Sequence, residues 1–236
     1  MIKLIILDVD NTLAYPGKSV SENIKRTLKK IELKKIKLVL ISGKPIVYLC
    51  GLASQLNLKN PILCGENGAC IYTSHRFPPK KQYIESSSKE ENQILKTLQS
   101  DILKTFKEDV WIQPNMVILT IFPRNIKKFN ELERFIDEYP DEKVKQKFTI
   151  FKHSDAFDIV PLSINKGKAL KKIKIMEGVK KSEVIAVGDG ENDIPMFSEA
   201  HISIGINLPN AQHNFTDIFE AMQYIERIII RVNNNG

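Results

Sequence analysis

The stretch KLIILDVDNTL, residues 3–13, sets the reading of the chain. Its unbroken Leu and Ile run reads as a strand buried on both faces, the habit of a parallel sheet covered by helices. The strand then delivers two acids, Asp8 and Asp10, two positions apart. Taken alone, the pair reads equally well as turn chemistry, because Asp before Thr is common in turns. The residues that the rest of the chain brings to the same sheet edge decide the matter.

Working outward, apolar runs alternate with helical patterns. Residues 21–31 place Ile24, Leu28 and Ile31 on one helical face, with Ser21 as the N-cap. A strand over 37–41, a helix over 47–55 after Pro45 and a short strand over 61–64 follow, and 69–72 reads as a hairpin arm after ENG. Strands alternating with helices imply parallel βαβ units. The run RFPPKK, residues 76–81, breaks this pattern. Beyond it come a helix over 88–106, strands over 110–113 and 116–122, a helix over 126–139, and strands over 147–152 and 156–160. Helix-strand-strand, twice, is an α+β unit with an antiparallel sheet. Trp111, Phe122 and Phe151 on its strands are read as core. After Pro161 the first pattern resumes, with helices over 166–177, 194–199 and 215–232 and strands over 184–187 and 202–206. The expected fold class is therefore α/β: a Rossmann-like, doubly wound parallel sheet formed by residues 1–79 and 163–236, interrupted by an αββαββ domain over 80–162. The terminal NNNG is expected to fray.

Composition narrows the function classes. The chain has 236 residues, 42% hydrophobic and 27% charged, with a net charge of +7. The lysines are scattered, with no dense basic run interleaved with aromatics, so nucleic acid is not an expected partner. A basic surface favours small anionic substrates. Cys50, Cys64 and Cys70 have neither CxxC spacing nor an even count, which argues against a disulfide framework or zinc site and for buried spectators in a reducing compartment. No apolar run approaches the roughly 18 residues of a membrane span. A cytoplasmic protein, monomer or homodimer, is expected. His75, His153, His201 and His213 form no ligand spacing. PGKS at 16–19 mimics the end of a phosphate loop but has Thr12 where that loop needs Gly.

Ligands of open parallel sheets bind beyond the carboxyl ends of the strands. Four features fall there: Asp8 and Asp10; Ser42, Gly43 and Lys44; Lys166 at the head of a helix; and GDGEND, residues 188–193. Asp8, Asp10, Asp189 and Asp193 crowd negative charge into one crevice, a cost that a hard divalent cation such as Mg²⁺ relieves. Lys166 and the Ser42 hydroxyl supply the cation and donor that a phosphate needs. Gly43, Gly188 and Gly190 let backbone amides approach. Together these are the parts of a metal-assisted phosphoryl-transfer site. Glu191, inside the acid loop, has no assigned part and reads as a surface carboxylate.

The set DVDNT, an apolar strand ending in SGK, NKGKAL and GDGENDIPM resembles the four motifs of haloacid dehalogenase superfamily phosphatases. GENGA at 65–69 and the inserted helix-strand-strand duplicate resemble the type IIB capped, Cof-like subgroup, with archaeal phosphoglycolate phosphatases and sucrose-phosphate-phosphatase-like proteins its most similar members. The resemblance implies that Asp8 is the nucleophile and Asp10 the general acid and base. It also implies that Asp8, the Asp10 backbone carbonyl, Asp189 and Asp193 hold Mg²⁺, one of the last two through water. Ser42, Gly43 and Lys166 would bind the transferring phosphoryl, and Asn192 would orient Lys166 or the phosphate. Three residues depart from the family pattern: Asn11 for the usual Gly, Ser42 for the commoner Thr, and Lys44 for an Arg. Asn tolerates left-handed backbone, so Asn11 is expected to do little damage.

The expected function is a Mg²⁺-dependent phosphomonoesterase acting on a small phosphorylated metabolite, phosphoglycolate first and a sugar phosphate otherwise. A phosphomutase and a non-catalytic binding module are the alternatives. The cap residues that choose the substrate are not legible in one sequence; His153–Asp155 and Lys80-Lys81 are the candidates.

Overall fold

Strand β1 (Leu4–Asp8) is buried along its whole length. It leads to α1 (Glu22–Leu33), where the Ser21 hydroxyl accepts from the Ile24 amide at 3.4 Å and Ile24, Leu28 and Ile31 turn inward. Strand β2 (Lys37–Ile41) pairs parallel to β1 and sets Asp8 beside Ile41. Helix α2 (Ile46–Gln55) starts after Pro45, and β3 (Ile62–Gly65) continues the parallel sheet beside β2. The chain then reverses through a 3-10 turn, Glu66–Gly68, into β4 (Cys70–Tyr72), antiparallel to β3. A further strand, β5 (Gln82–Ile84), pairs antiparallel to β4. No pattern in the sequence predicts a strand over 82–84. Three residues with no buried side chain carry no periodic signal, and the strand exists because β4 offers it an edge. Cys50, Cys64 and Cys70 are all buried, and burial pushes the Cys64 thiol up to about 12.

This computed structural model describes residues 1–234, so the last two residues of the NNNG tail lie outside it. The chain divides into two units, Met1–Ile84 with Asn165–Gly236, and Glu85–Ile164. The second unit opens with α3 (Lys89–Phe106), whose N-terminus carries a full capping box between Ser88 and Glu91. Next come β6 (Val110–Ile112), β7 (Leu119–Pro123), α4 (Phe129–Asp137), α5 (Glu142–Lys147), β8 (Phe148–Lys152) and β9 (Phe157–Pro161). The four strands form an antiparallel sheet in the order β6-β7-β9-β8. Leu98, Ile102, Ile121, Leu132, Phe157 and Ile159 lie in its core.

Residues 116–118 lie outside β7, and α5, capped by Asp141, was not foreseen. Trp111 is not core: it is 42% exposed, and Phe122 and Phe151 are only half-buried. The period of two in a strand explains this. Val110, Leu119 and Ile121 face the helices, so Trp111 and its register partner Phe122 turn to the opposite face, their rings 5.5 Å apart.

From Asn165 the chain rejoins the first unit. Helix α6 (Lys166–Glu177) is capped by the Asn165 side chain, which accepts from the Lys168 amide at 2.8 Å. Strand β10 (Val184–Gly188) pairs parallel to β1 on the side away from β2. Then follow α7 (Ile194–Phe197), β11 (Ile202–Ile206), β12 (His213–Phe215) and α8 (Ile218–Asn234). Strand β12, another short edge, takes Phe215 from the expected start of α8, which begins at Ile218. The sheet order is β12-β11-β10-β1-β2-β3-β4-β5. Connections leave β1 toward β2 and return beside it through β10, so the strand order reverses at β1 and opens a crevice at its carboxyl end. Among the described residues no helix is long and apolar enough to cross a membrane.

Candidate active site

Asp8 ends β1, and Asp189 follows directly on β10, its parallel neighbour. Lys166, the first residue of α6, is only 1% exposed, a rare position for a lysine that must be paid for by charged partners. Its ammonium lies 2.6 Å from Asp8 Oδ1 and 2.6 Å from Asp193 Oδ1. The other Asp193 oxygen accepts from the backbone amides of Asp189 and Gly190, each at 3.0 Å. That fold of the acid loop requires Gly188, where a Cβ would stand 2.3 Å from the Asp193 carboxyl carbon. Asn11 adopts φ +53° in the turn after β1, and its side-chain amide donates to Asp189 Oδ2 at 3.1 Å. The Thr12 hydroxyl reaches the other Asp189 oxygen at 3.4 Å. The departure at Asn11 thus supplies both the left-handed turn and a hold on Asp189.

One oxygen each from Asp8, Asp189 and Asp193 fall within 4.8 Å of one another. Burial raises the Asp8 carboxyl well above its ordinary value; Lys166 pulls it down, while Asp193 and Asp189 push it further up. Burial also raises Asp189, with Asp193 adding to the shift. Burial alone would lower Lys166, but Asp193 and Asp8 outweigh it and hold the ammonium above its usual range. Three carboxylates against one ammonium, with oxygen donors only, fit a hard divalent cation better than a soft one.

The remaining site residues sit around this group. The Asp10 carboxylate stands apart from the three clustered acids, 2.9 Å from Lys44 Nζ, and that ammonium also lies 5.3 Å from the Tyr48 ring centre. Ser42, at the end of β2 with Gly43, is buried, and its hydroxyl accepts from the Lys44 amide at 3.2 Å. The Asn192 amide donates to Asn67 Oδ1 at 2.9 Å, while the Lys166 ammonium takes its orientation from Asp8 and Asp193. Glu191 is exposed. Sequence reasoning missed the bonds of Thr12 and Asn67. Thr12 and Asn67 both lay inside quoted stretches, DVDNT and GENGA, with no task given to either.

The haloacid dehalogenase-like hydrolase family matches residues 5–152 and 78–222, which together span most of the chain. The chain belongs to this family. Among relatives of this hydrolase, a phosphoglycolate phosphatase of Staphylothermus marinus is 27% identical over 87% of the chain and 85% of that protein. A 5-amino-6-(5-phospho-D-ribitylamino)uracil phosphatase of Bacillus subtilis is also 27% identical, over 89% of the chain and 85% of that protein. The fold matches a haloacid dehalogenase-like hydrolase from Bacteroides thetaiotaomicron with a TM-score of 0.75, at 22% identity, over 95% of this chain and all of that one.

Proposed function

We propose that this hydrolase is a Mg²⁺-dependent phosphomonoesterase working through an aspartyl-phosphate intermediate. The observation that carries the reading is the buried Asp8–Lys166–Asp193 group at the reversal point of a parallel sheet, with Asp189 completing three clustered acids. An Asp8 oxygen attacks phosphorus, and the P–O bond to the substrate alcohol breaks. Asp10 gives its proton to the departing alkoxide, then takes one from the water that attacks the acyl phosphate, which frees inorganic phosphate and restores Asp8. The Lys44 ammonium steadies the Asp10 carboxylate through these exchanges. Lys166, the Ser42 hydroxyl and the Gly43 amide bind the phosphoryl oxygens. Asp8, the Asp10 backbone carbonyl, Asp189 and Asp193 would hold Mg²⁺, which when bound supplies positive charge to the phosphate oxygens.

The Glu85–Ile164 unit is assigned the part of a cap that selects the leaving group. Phosphoglycolate is the first substrate to try, on the strength of relatives bearing that name from several archaea. The test is phosphate release from a panel of monoesters, p-nitrophenyl phosphate and phosphoglycolate among them. Asp8→Asn should cost at least about 10⁴-fold in kcat, as loss of a nucleophile does. It should leave the unfolding midpoint unchanged or higher, because a buried carboxyl raised by desolvation is replaced by a neutral amide. Chelation should silence the wild type, and added Mg²⁺ should restore it. Appreciable turnover by a pure Asp8→Asn sample would sink the nucleophile assignment.

A further inference from the structure

Three loops must keep a fixed spacing for the proposed chemistry: Ser42–Lys44, the start of α6 at Lys166, and the acid loop at Asn192–Asp193. They come from distant parts of the sequence, and one buried turn touches all three. After β3 the chain runs through Gly65, Glu66, Asn67 and Gly68, with φ of +54° at Glu66, +55° at Asn67 and +111° at Gly68. Glu66 and Asn67 are 0% and 1% exposed. Consecutive left-handed residues with full side chains are costly and persist only where the surroundings hold them.

The contacts made by this turn explain why it is held. The Asn67 amide donates to the Ser42 carbonyl at 3.0 Å, and the Glu66 amide to the Lys44 carbonyl at 3.0 Å. A Cβ on Gly65 would lie 2.8 Å from the Ile46 nitrogen, so the turn is pressed against the chain that follows Ser42. A Cβ on Gly68 would lie 2.9 Å from the Asn165 carbonyl oxygen, one residue before Lys166. The Asn67 side-chain oxygen accepts from Asn192 Nδ2 at 2.9 Å, in the loop whose next residue, Asp193, grips Lys166.

We infer that Asn67 is a positioning residue: its backbone fixes the Ser42 loop and its side chain fixes the Asn192 loop, setting the distance between the two sides of the phosphate site. The inference rests on the phosphatase reading, and Asn67 itself touches no reacting atom.

The test compares wild type, Asn67→Gly, Asn192→Ala and the double variant, all full-length. The readouts are kcat and KM for p-nitrophenyl phosphate with Mg²⁺, the inhibition constant of inorganic phosphate, and the melting temperature. Glycine accepts the +55° φ freely, so Asn67→Gly removes the side-chain oxygen that accepts from Asn192 while keeping the backbone bond to Ser42 and leaving the turn unstrained. The expected loss in kcat/KM is about 10- to 100-fold, the scale of a misplacement on the order of 1 Å. KM and the phosphate inhibition constant should rise together. Asn192→Ala should lose a similar amount, and the double variant no more than the worse single, as for two residues acting through one contact. Wild-type kinetics in Asn67→Gly, with or without a lower melting temperature, would overturn the inference. Losses that multiply in the double variant would do the same. A wild type inactive towards every phosphate monoester would bring down the functional reading and this inference with it, whereas an active wild type matched by Asn67→Gly removes the inference alone.

Discussion

Lys166 shows how much a single side chain can hold in place. Its ammonium bonds both Asp8 and Asp193, and all three groups are buried. Lys166→Met keeps the bulk of the chain but leaves clustered carboxylates uncompensated. Breaking a buried ion pair by removing one partner costs about 3–5 kcal/mol, and that is the loss expected in urea titration near neutral pH. The sign of its pH dependence follows from the acids. Asp8 and Asp189 are raised in the fold, and without Lys166 they go higher still. A folded-state value above the unfolded one gives stability that is fully present below the unfolded value, about 4, and lost as pH rises through the folded value. The penalty of Lys166→Met should therefore shrink in acid and grow towards neutrality. A penalty independent of pH would mean that the acids are not driving it. In the sequence Lys166 was one of 35 basic residues, and only its place at the head of a helix in NKGKAL marked it out. The two acids it grips were legible from their motifs. The pairing of Lys44 with Asp10 was not, because nothing in a sequence says which of several neighbouring charges a flexible lysine will reach.

At the scale of elements, two helical glycines have opposite meanings. Ala normally favours a helix over Gly by about 1 kcal/mol. Gly51, exposed in α2, has open space where its Cβ would go, so Gly51→Ala should stabilise by up to about that amount. Gly167 in α6 faces the backbone of α7: a Cβ there would meet the Pro195 carbonyl oxygen at 2.4 Å. Gly167→Ala should destabilise by about 1–3 kcal/mol, the usual cost of overpacking, and should weaken catalysis because the shift begins one residue from Lys166. Paired chemical denaturation of the two variants checks the signs, and a stabilising Gly167→Ala would show that α6 and α7 separate cheaply. The long elements of both units were legible because they bury a whole face. Helix α6 was read at the bounds 166–177 that it adopts, and α3 differs from the expected 88–106 only in that Ser88 is its cap. What escaped was short or sat on an edge. Strands β5 and β12 have three residues each and are strands by virtue of their partners, and α5 has six residues behind an Asp cap. Trp111 was misjudged because hydrophobicity names a candidate for burial, while the face it occupies is set by register.

On the scale of the whole molecule, the chemistry and the insert belong to separate units. Every residue of the acid cluster, with Lys166, Ser42, Asn67 and Asn192, belongs to Met1–Ile84 with Asn165–Gly236. Glu85–Ile164 has a core of its own, built on Leu98, Leu132, Phe157 and Ile159. A chain with two cores need not unfold in a single step, so ligand stabilisation can be confined to one of them. A cation held by Asp8, Asp189 and Asp193 stabilises only what must be folded to bring those acids together. At 100 times its dissociation constant that amounts to about 2.7 kcal/mol. Amide hydrogen exchange with and without Mg²⁺ should show the gain in β1, β10 and the first turns of α6. Strands β6 to β9 should exchange at the same rate in both. Asp189→Asn should reduce the gain without altering exchange in the insert, since Asp189 lies outside it. Equal gains in both units would show that they fold as one cooperative body. No gain in either would mean that the three acids form an ion-pair network with Lys166 and no metal site, and the phosphatase reading would then have to stand on Asp8 and Lys166 alone.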